Sequence, residues 1–576
     1  MKERMKAIPY GISDFKQLRR DGLYYVDKTM FLPKMEEAGH FLFLIRPRRF
    51  GKSIFLSMMR AYYDTNERDH FDSLFDATWI QQNPTPIRNT FEVLYLDFSQ
   101  VGGRIEHLYE NFDRYIYMRV NAFAESYAHL YPEGYIEKLN EYKDGLNRLN
   151  YIHDRGKELG HRLYLIVDEY DNFTNTVLNE QGEEVYNALT HASGFYRDVF
   201  KKFKGNYDRI LMMGVSPVTM DDVTSGYNIA LNITTSPSFN QMLGFSEEDV
   251  RTMIRYYRNY GVLDQDEDTL VGEMRPWYDN YCFSKSVVDT DPKMFNSDMV
   301  CYYLKQMIQN GSAPEEMLDV NTRTDYAKLS KLLSLDRLDG NRRGILNEIA
   351  DKGFIYSNPK NSFPAREMMD AENFVSLLFY YGMLTFGGVR GAKAKLVIPN
   401  NNVRLQYYDY LLKQYQEIAS IDTDNLSNAY DMAALDGDWM PMVNQIAEAY
   451  EKTTSVRQLI EGERNLQGFM HAYLSLNPYY LTAPELELNH GYCDFFLMPD
   501  LQRYPMVKHS YILELKYLKQ DASTIFAERQ WMEAVGQING YANAPLVKRL
   551  VGQTHLHLLV LQIRGYKMER AEEVYQ

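Results

Sequence analysis

Cysteine is scarce in this chain: Cys282, Cys301 and Cys493 are the three in 576 residues, with no pair at metal-ligand spacing. Neither a disulfide framework nor a zinc site is indicated, and the three are expected to be packing residues. Long apolar runs are missing too. None approaches the ~18 residues of a membrane-crossing helix, and the opening MKERMKAIPYGISDF lacks the apolar centre of a secretory signal. A cytoplasmic protein without a membrane partner is expected. Basic residues are outnumbered, 63 Lys and Arg against 78 Asp and Glu for a net charge of −15, which argues against a chain-wide polyanion-binding surface. A local groove stays open, with basic clusters at Arg46 to Lys52 and at Lys548 and Arg549. No internal repeat or low-complexity segment stands out. Tyrosine is in excess, with 47 residues, and its packing ring with a wet polar tip favours large mixed surfaces over disorder. The length implies two to four domains rather than one core.

The stretch Phe41 to Ser53, FLFLIRPRRFGKS, runs from an apolar strand into a basic loop ending in Gly51, Lys52 and Ser53. A phosphate cradle needs a strand to fix the loop, a glycine where backbone meets phosphate, and a lysine for the β/γ oxygens. It also needs a hydroxyl for Mg²⁺ and a following helix N-terminus. IFLSMMRAYYD supplies the helical spacing. One position departs: Arg46, followed by Pro47, stands where the first glycine of the phosphate loop is expected.

The second half of such a site lies at Leu163 to Glu169. LYLIVDE is an apolar run with two acids at its tip, the pattern of a buried parallel strand. Asp168 would hold Mg²⁺ and Glu169 would polarise the attacking water. A third run, Arg209 to Ser216, ends in a hydroxyl that could sense the γ-phosphate, as in ATPases with an additional strand beside the two motif strands. Val93 to Ser99 fits a further strand of the same sheet, with Asp97 structural.

GISDFKQLRRDGLYYVDKT, LIRPRRFGKS, LIVDEYDN, MMGVSPV, LGFSEEDV, RPWYDNYCF and FNSDMVCYYL, in that order, resemble the bacterial family of AAA-ATPase-like proteins with a C-terminal nuclease-type domain. The resemblance implies that a substituted first glycine, as at Arg46, is compatible with ATP binding. It also implies that Tyr25, Val26, Asp27, Lys28 and Thr29 form the family's N-terminal signature, expected to pack around the base. Arg48 and Arg49 lie in the loop and could contact phosphate in cis.

Residues to about 300 alternate strand-like and helical patterns, the signature of a doubly wound sheet, and about 300 to 440 are mainly helical. FVSLLFYYGMLTFGGVRGAKAKLVIPN reads as helix, strand, glycine-rich turn and strand, which suits a winged-helix unit. Its helix is apolar and aromatic (Phe374, Leu377, Leu378, Phe379, Tyr380, Tyr381) rather than basic, so a lid is favoured over DNA reading. The acidic stretch Asp422 to Asp438 is expected to be a linker.

A second constellation runs from Glu487 to Lys516. Glu514 and Lys516, two apart on a strand, face the same side, and Asp494 from a neighbouring strand can complete the cluster. From about Gly462 onward this resembles the PD-(D/E)XK nuclease superfamily. The resemblance implies that Asp494 and Glu514 hold Mg²⁺, that Lys516 orients water or stabilises charge, and that Gln537 and Tyr541 on the following helix brace the site. Glu463 or Glu487 could add a carboxylate. Cys493 stands where the superfamily often has a basic residue.

The expected fold is therefore α/β. A P-loop AAA-like domain spans 1–300, a helical, winged-helix-like lid 301–440, and a restriction-endonuclease-like domain 441–576. The expected activity is ATP hydrolysis controlling Mg²⁺-dependent cleavage of nucleic acid, DNA first, with ATP and Mg²⁺ as cofactors and defence against foreign nucleic acid as the implied role. The competing reading is a nucleotide-dependent binding or assembly module with an inactive nuclease-like domain. A homo-oligomer is compatible with either.

Overall fold

The computed structural model describes residues 4–101, 107–171, 199–200, 202–203, 206–217, 230–314, 317–319, 340–363, 367, 370–407, 423–452, 463–474, 476–488, 491–501 and 504–574. They fall into two compact units, residues 1–345 with 354–403, and residues 346–353 with 404–576. No described helix is long and apolar enough to cross a membrane.

In the first unit, β1 (Phe41–Ile45) leads through the basic loop into α1 (Lys52–Tyr63). With β2 (Glu92–Asp97), β3 (Leu163–Asp168), β4 (Arg209–Gly214) and β5 (Leu231–Asn232) it makes a sheet of order β2-β3-β4-β1-β5, parallel throughout. Every residue of β3 and β4 is buried, as expected of central parallel strands covered on both faces. All five strands point their C-terminal ends to one edge, the edge where ligands sit in such sheets. β4 lies between the two motif strands, the arrangement expected of an additional-strand ATPase. Two expected strands are shorter than their apolar runs. β2 stops at Asp97 because its carboxylate accepts from Ser99 N at 2.9 Å and turns the chain; β4 stops two residues before Ser216.

Further along, α2 (Ser297–Asn310) precedes the winged-helix-like segment. There β6 (Phe354–Ser357), α3 (Ala371–Tyr380), β7 (Thr385–Arg390) and β8 (Lys393–Val397) give an antiparallel sheet of order β6-β8-β7. The helix, strand, turn and strand read from the sequence are all present. Residues Asn373 to Tyr380 of α3 are all buried, so this helix presents no polar face for reading a DNA groove. Gly382 just after it has φ +80°, and a Cβ there would lie 2.9 Å from Pro47 Cβ. The segment thus packs directly on the basic loop.

In the second unit the acidic stretch expected to be a linker is instead helical. α4 (Thr423–Asp431) runs into a π-helical turn at Met432–Asp436. Leu426, Ala429, Tyr430 and Ala433 are buried, and their spacing of three and four defines an apolar stripe that polar composition had masked. Then follow α5 (Glu463–Leu474), β9 (Tyr480–Leu488), β10 (Gly491–Pro499), β11 (His509–Leu518), α6 (Thr524–Ala542), β12 (His555–Arg564) and β13 (Lys567–Glu573). The sheet order is β9-β10-β11-β12-β13, with β11 and β12 parallel and the other pairs antiparallel. α6 is the crossover that a parallel pair needs. Its stripe of Ala527, Trp531, Ala534, Ile538 and Tyr541 packs on Ile512, Leu558 and Val560.

Candidate nucleotide site and nuclease-type centre

Gly51 caps α1 with φ 84°, ψ 24°, a left-handed conformation that suits glycine, and no side chain caps the helix. Its first-turn N–H groups are therefore available to an anion. Lys52 is buried, and its Nζ donates to Arg46 O at 3.1 Å and Pro47 O at 2.9 Å. Burial lowers its pKa, opposed by the charges of Glu169 and Asp168. Arg46, in place of a glycine, is a structural pin. It is fully buried, and its guanidinium donates to Ile45 O at 3.0 Å, Thr234 O at 2.6 Å and Phe239 O at 2.8 Å, and lies over the Phe283 ring. The loop's entrance is thus fixed by a side chain rather than by backbone freedom. Arg49 carries φ 69°, and its Nη1 pairs with Asp298 Oδ2 at 3.1 Å.

Ser53 Oγ donates to Asp168 Oδ2 at 3.0 Å, and Tyr95 OH donates to the same oxygen at 3.2 Å. Burial raises the Asp168 pKa, with Lys52 pulling the other way. Glu169 follows in a left-handed conformation, φ 47°, with its N–H on Asp168 Oδ1 at 2.9 Å. A cavity of about 570 Å³ is lined by Gly51, Lys52, Ser53 and Glu169, and also by Ile12, Tyr24, Tyr25, Val26 and Met253. That volume is in the range of small-molecule sites. Of the N-terminal signature, Tyr25, Val26 and Lys28 line this cavity, whereas Asp27 and Thr29 tie the chain down. Asp27 accepts from Thr29 N at 2.9 Å and Trp79 N at 2.6 Å, and Thr29 Oγ1 accepts from Ile80 N at 3.1 Å.

Ser216 is fully buried at the end of β4's extension. Its N–H donates to Asp171 Oδ2 at 2.6 Å, and its carbonyl accepts from Tyr170 OH. Asp171 also accepts from Val215 N at 3.2 Å; burial, then the Glu169 charge, raises its pKa to about 6. Lys52, Ser53, Asp168 and Glu169 are therefore together, with Ser216 nearby but enclosed. Tyr95, Asp171 and Asp298 belong to the assembly and were not read from the sequence; the DEYD run at 168–171 was the one visible hint of Asp171.

In the second unit, the β10–β11 register pairs Phe495 with Leu513, so one further step sets Asp494 opposite Glu514. Asp494 Oδ2 accepts from Leu515 N at 2.7 Å and Oδ1 from Gln467 Nε2 at 2.5 Å. Lys516 Nζ lies 2.8 Å from Glu514 Oε1, and Glu514 is buried. Two carboxylates and an ammonium thus meet on adjacent strands, a donor set that fits a hard divalent cation. Tyr541 of α6 is buried, and its pKa is raised to about 12 by burial first and then by Glu514, Cys493 and Asp494. Gln537 is exposed, so bracing comes from Tyr541 and from Gln467 on α5. The side chains of Glu463 and Glu487 lie outside the described residues. Cys282, Cys301 and Cys493 are all buried, in keeping with packing residues.

Residues 9–224 match the family model described as Predicted AAA-ATPase, and residues 461–573 match that of the PD-(D/E)XK nuclease superfamily. The chain thus carries an AAA-ATPase-like and a PD-(D/E)XK nuclease-like segment, in the order its motifs imply. An uncharacterized protein in the vnfD 5′ region of Azotobacter chroococcum mcd 1 is 28% identical over 295 residues, 49% of this chain and 50% of that protein. The chain therefore spans about half the length of that curated relative. Among solved structures, the Aeropyrum pernix ORC1 protein in complex with DNA aligns over 67% of this chain and 90% of its own, at 10% identity and TM-score 0.25. The ORC2 protein of the same organism, in ADPNP and ADP complexes, aligns over 72% and 97%, at 10% identity and TM-score 0.31. Scores at that level establish no shared fold. The α/β assignment rests on the sheet order and the two family matches.

Proposed function

We propose that this chain, an AAA-ATPase-like segment followed by a PD-(D/E)XK nuclease-like one, binds and hydrolyses ATP and thereby controls Mg²⁺-dependent phosphodiester cleavage of nucleic acid, DNA first. The observation that carries the reading is the joining of distant motif residues: Ser53 Oγ lies 3.0 Å from Asp168 Oδ2 across 115 residues. In this reading Gly51, Lys52, Arg49 and the α1 N–H groups hold the phosphates, Ser53 and Asp168 hold Mg²⁺, Glu169 polarises water and Ser216 responds to the γ-phosphate. Asp494 and Glu514 hold the cleaving Mg²⁺, which when bound supplies an acidified water, and Lys516 stabilises the charge developing on the phosphate.

We assign nucleotide chemistry to residues 1–300, a winged-helix-like lid to 301–440 and cleavage to 441–576. A cytoplasmic role in defence against foreign nucleic acid follows by analogy with this architecture alone. The test is cleavage of plasmid DNA by the purified chain, with Mg²⁺ or EDTA and with or without ATP. Mg²⁺-dependent cleavage that changes with ATP is expected. No cleavage of DNA or RNA under any nucleotide condition, with a gel shift retained in EDTA, would make the chain a nucleotide-dependent binding module instead.

A further inference from the structure

The second unit holds a cluster of histidines that neither motif uses. His555 and His557 stand two apart on β12 and so face the same side of the sheet, and Glu573 ends the neighbouring strand β13. Each offers one ligand atom, and all three atoms lie within 4.8 Å of one another. His557 Nδ1 is 2.8 Å from Glu573 Oε1, and its Nε2 is 2.9 Å from His509 Nδ1, so both ring nitrogens are fixed. The Tyr511 ring stacks on His557 at 4.9 Å, and Trp439 Nε1 donates to Glu573 Oε2 at 3.4 Å. Gly437 closes the far side of His509, where a Cβ would come within 2.7 Å of the ring.

We propose that His555, His557 and Glu573 form a binding site for one divalent transition-metal ion of the zinc class, with His509 as a positioning residue. Zinc accepts imidazole and carboxylate alike, whereas Mg²⁺ takes oxygen ligands, so the two imidazoles point to the zinc class. His557 turns Nδ1 toward Glu573, so that nitrogen and Glu573 Oε1 would reach the ion together, with His509 orienting the ring from the other nitrogen and Trp439 holding the carboxylate. Such outer contacts are what metal-ligating imidazoles and carboxylates ordinarily have. His557 is buried while His555 is exposed, so the cluster has a rigid base and an entry side.

This cluster is separate from the Asp494–Glu514–Lys516 centre. His509 and Glu514 are five residues apart on β11, ~17 Å along the strand, and alternation puts them on opposite faces. The site would tie β12, β13 and, through His509, the start of β11 into one clamp. It depends on neither ATP nor the nuclease reading.

The test uses the full chain stripped with EDTA, titrated with Zn²⁺ against a chromogenic chelator, and repeated in an Asp494→Ala, Glu514→Ala background that removes the other carboxylates. One Zn²⁺ per chain is expected in both. His555→Ala, which alters an exposed side chain, and Glu573→Gln should each weaken binding by ~100-fold, and His509→Ala by ~10-fold. Co²⁺ should give a visible absorption band that His555→Ala removes. Zn²⁺ binding that is absent, that disappears in the Asp494→Ala, Glu514→Ala background, or that is unchanged in His555→Ala would overturn the proposal.

Discussion

Ser53 Oγ donates to Asp168 Oδ2 at 3.0 Å, joining the first turn of α1 to the tip of β3. The two strands that deliver these groups are not neighbours. β4 lies between them, so the contact is made at the sheet's edge, where loop and strand tip reach over the end of β4. A hydroxyl and a carboxylate at hydrogen-bond distance are also the pair that could share one Mg²⁺ oxygen shell.

Lys52→Ala removes the buried cation of the phosphate loop from a cavity lining that also carries Lys28, Arg48 and Arg49. Loss of a charge-assisted contact of ~1.5 to 3 kcal/mol should lower ATP affinity by ~10-fold or more. Calorimetry with the non-hydrolysed nucleotide checks this, and unchanged affinity would move the site elsewhere. Glu169→Gln should instead leave binding intact and slow turnover, since in the proposed mechanism Glu169 polarises water and contacts no phosphate. Wild-type turnover in that variant would remove Glu169 from the chemistry.

Gly214 ends β4 beneath Tyr170. A Cβ there would lie 2.2 Å from Tyr170 Cε1 and 2.4 Å from Asp171 Oδ1. Tyr170 cannot easily retreat, since its hydroxyl is bonded to Ser216 O and its ring meets Phe43 at 4.6 Å. Gly214→Ala is expected to destabilise by ~1 to 3 kcal/mol through overpacking, read as a lower denaturant midpoint. An unchanged midpoint would mean that Tyr170 is not held as described.

The individual strands, the phosphate loop and the E-x-K strand are legible because each is local: apolar runs, a GKS turn and a two-residue alternation sit within a few positions of one another. What was hidden is what folding brings together. Arg46 looked like a defect of the loop and is its buried anchor, because its partners, Thr234 and Phe239, come from 188 and 193 residues away. Tyr95 and Asp298 carried no signal beyond residue type. Gln537 was read with Tyr541 on one helical face, yet the stripe is centred on Trp531, Ala534 and Ile538, which leaves Gln537 at its rim and exposed. The His509–His557 contact spans 48 residues and two strands.

Asp171 gives a pH signature. Its pKa is raised from 3.8 to about 6 by burial and then by Glu169, so the folded state holds a proton that the unfolded state has lost. Stability from this group is full below about pH 4 and is lost as pH rises through about 6. Wild type should therefore lose stability relative to Asp171→Asn across that window, measured as urea midpoints at half-unit intervals. Parallel profiles would mean that Asp171 does not titrate there.

The nuclease-type centre yields the last expectation, since Asp494, Glu514 and Lys516 converge on adjacent strands and are proposed to play different chemical parts. Asp494→Ala or Glu514→Ala removes a proposed hard oxygen ligand and should abolish Mg²⁺-dependent cleavage, with the loss not recovered by excess Mg²⁺. Lys516→Ala should retain metal binding and lose rate, since in the proposed mechanism the ammonium stabilises charge only as it develops in the transition state. It also leaves Glu514 without the 2.8 Å contact to Lys516 Nζ, so the carboxylate should bind Mg²⁺ no less readily. ATP affinity, measured in parallel on all three variants, should stay at the wild-type value, which separates loss of this centre from general misfolding. Cleavage that persists in both carboxylate variants would place the activity in a different centre.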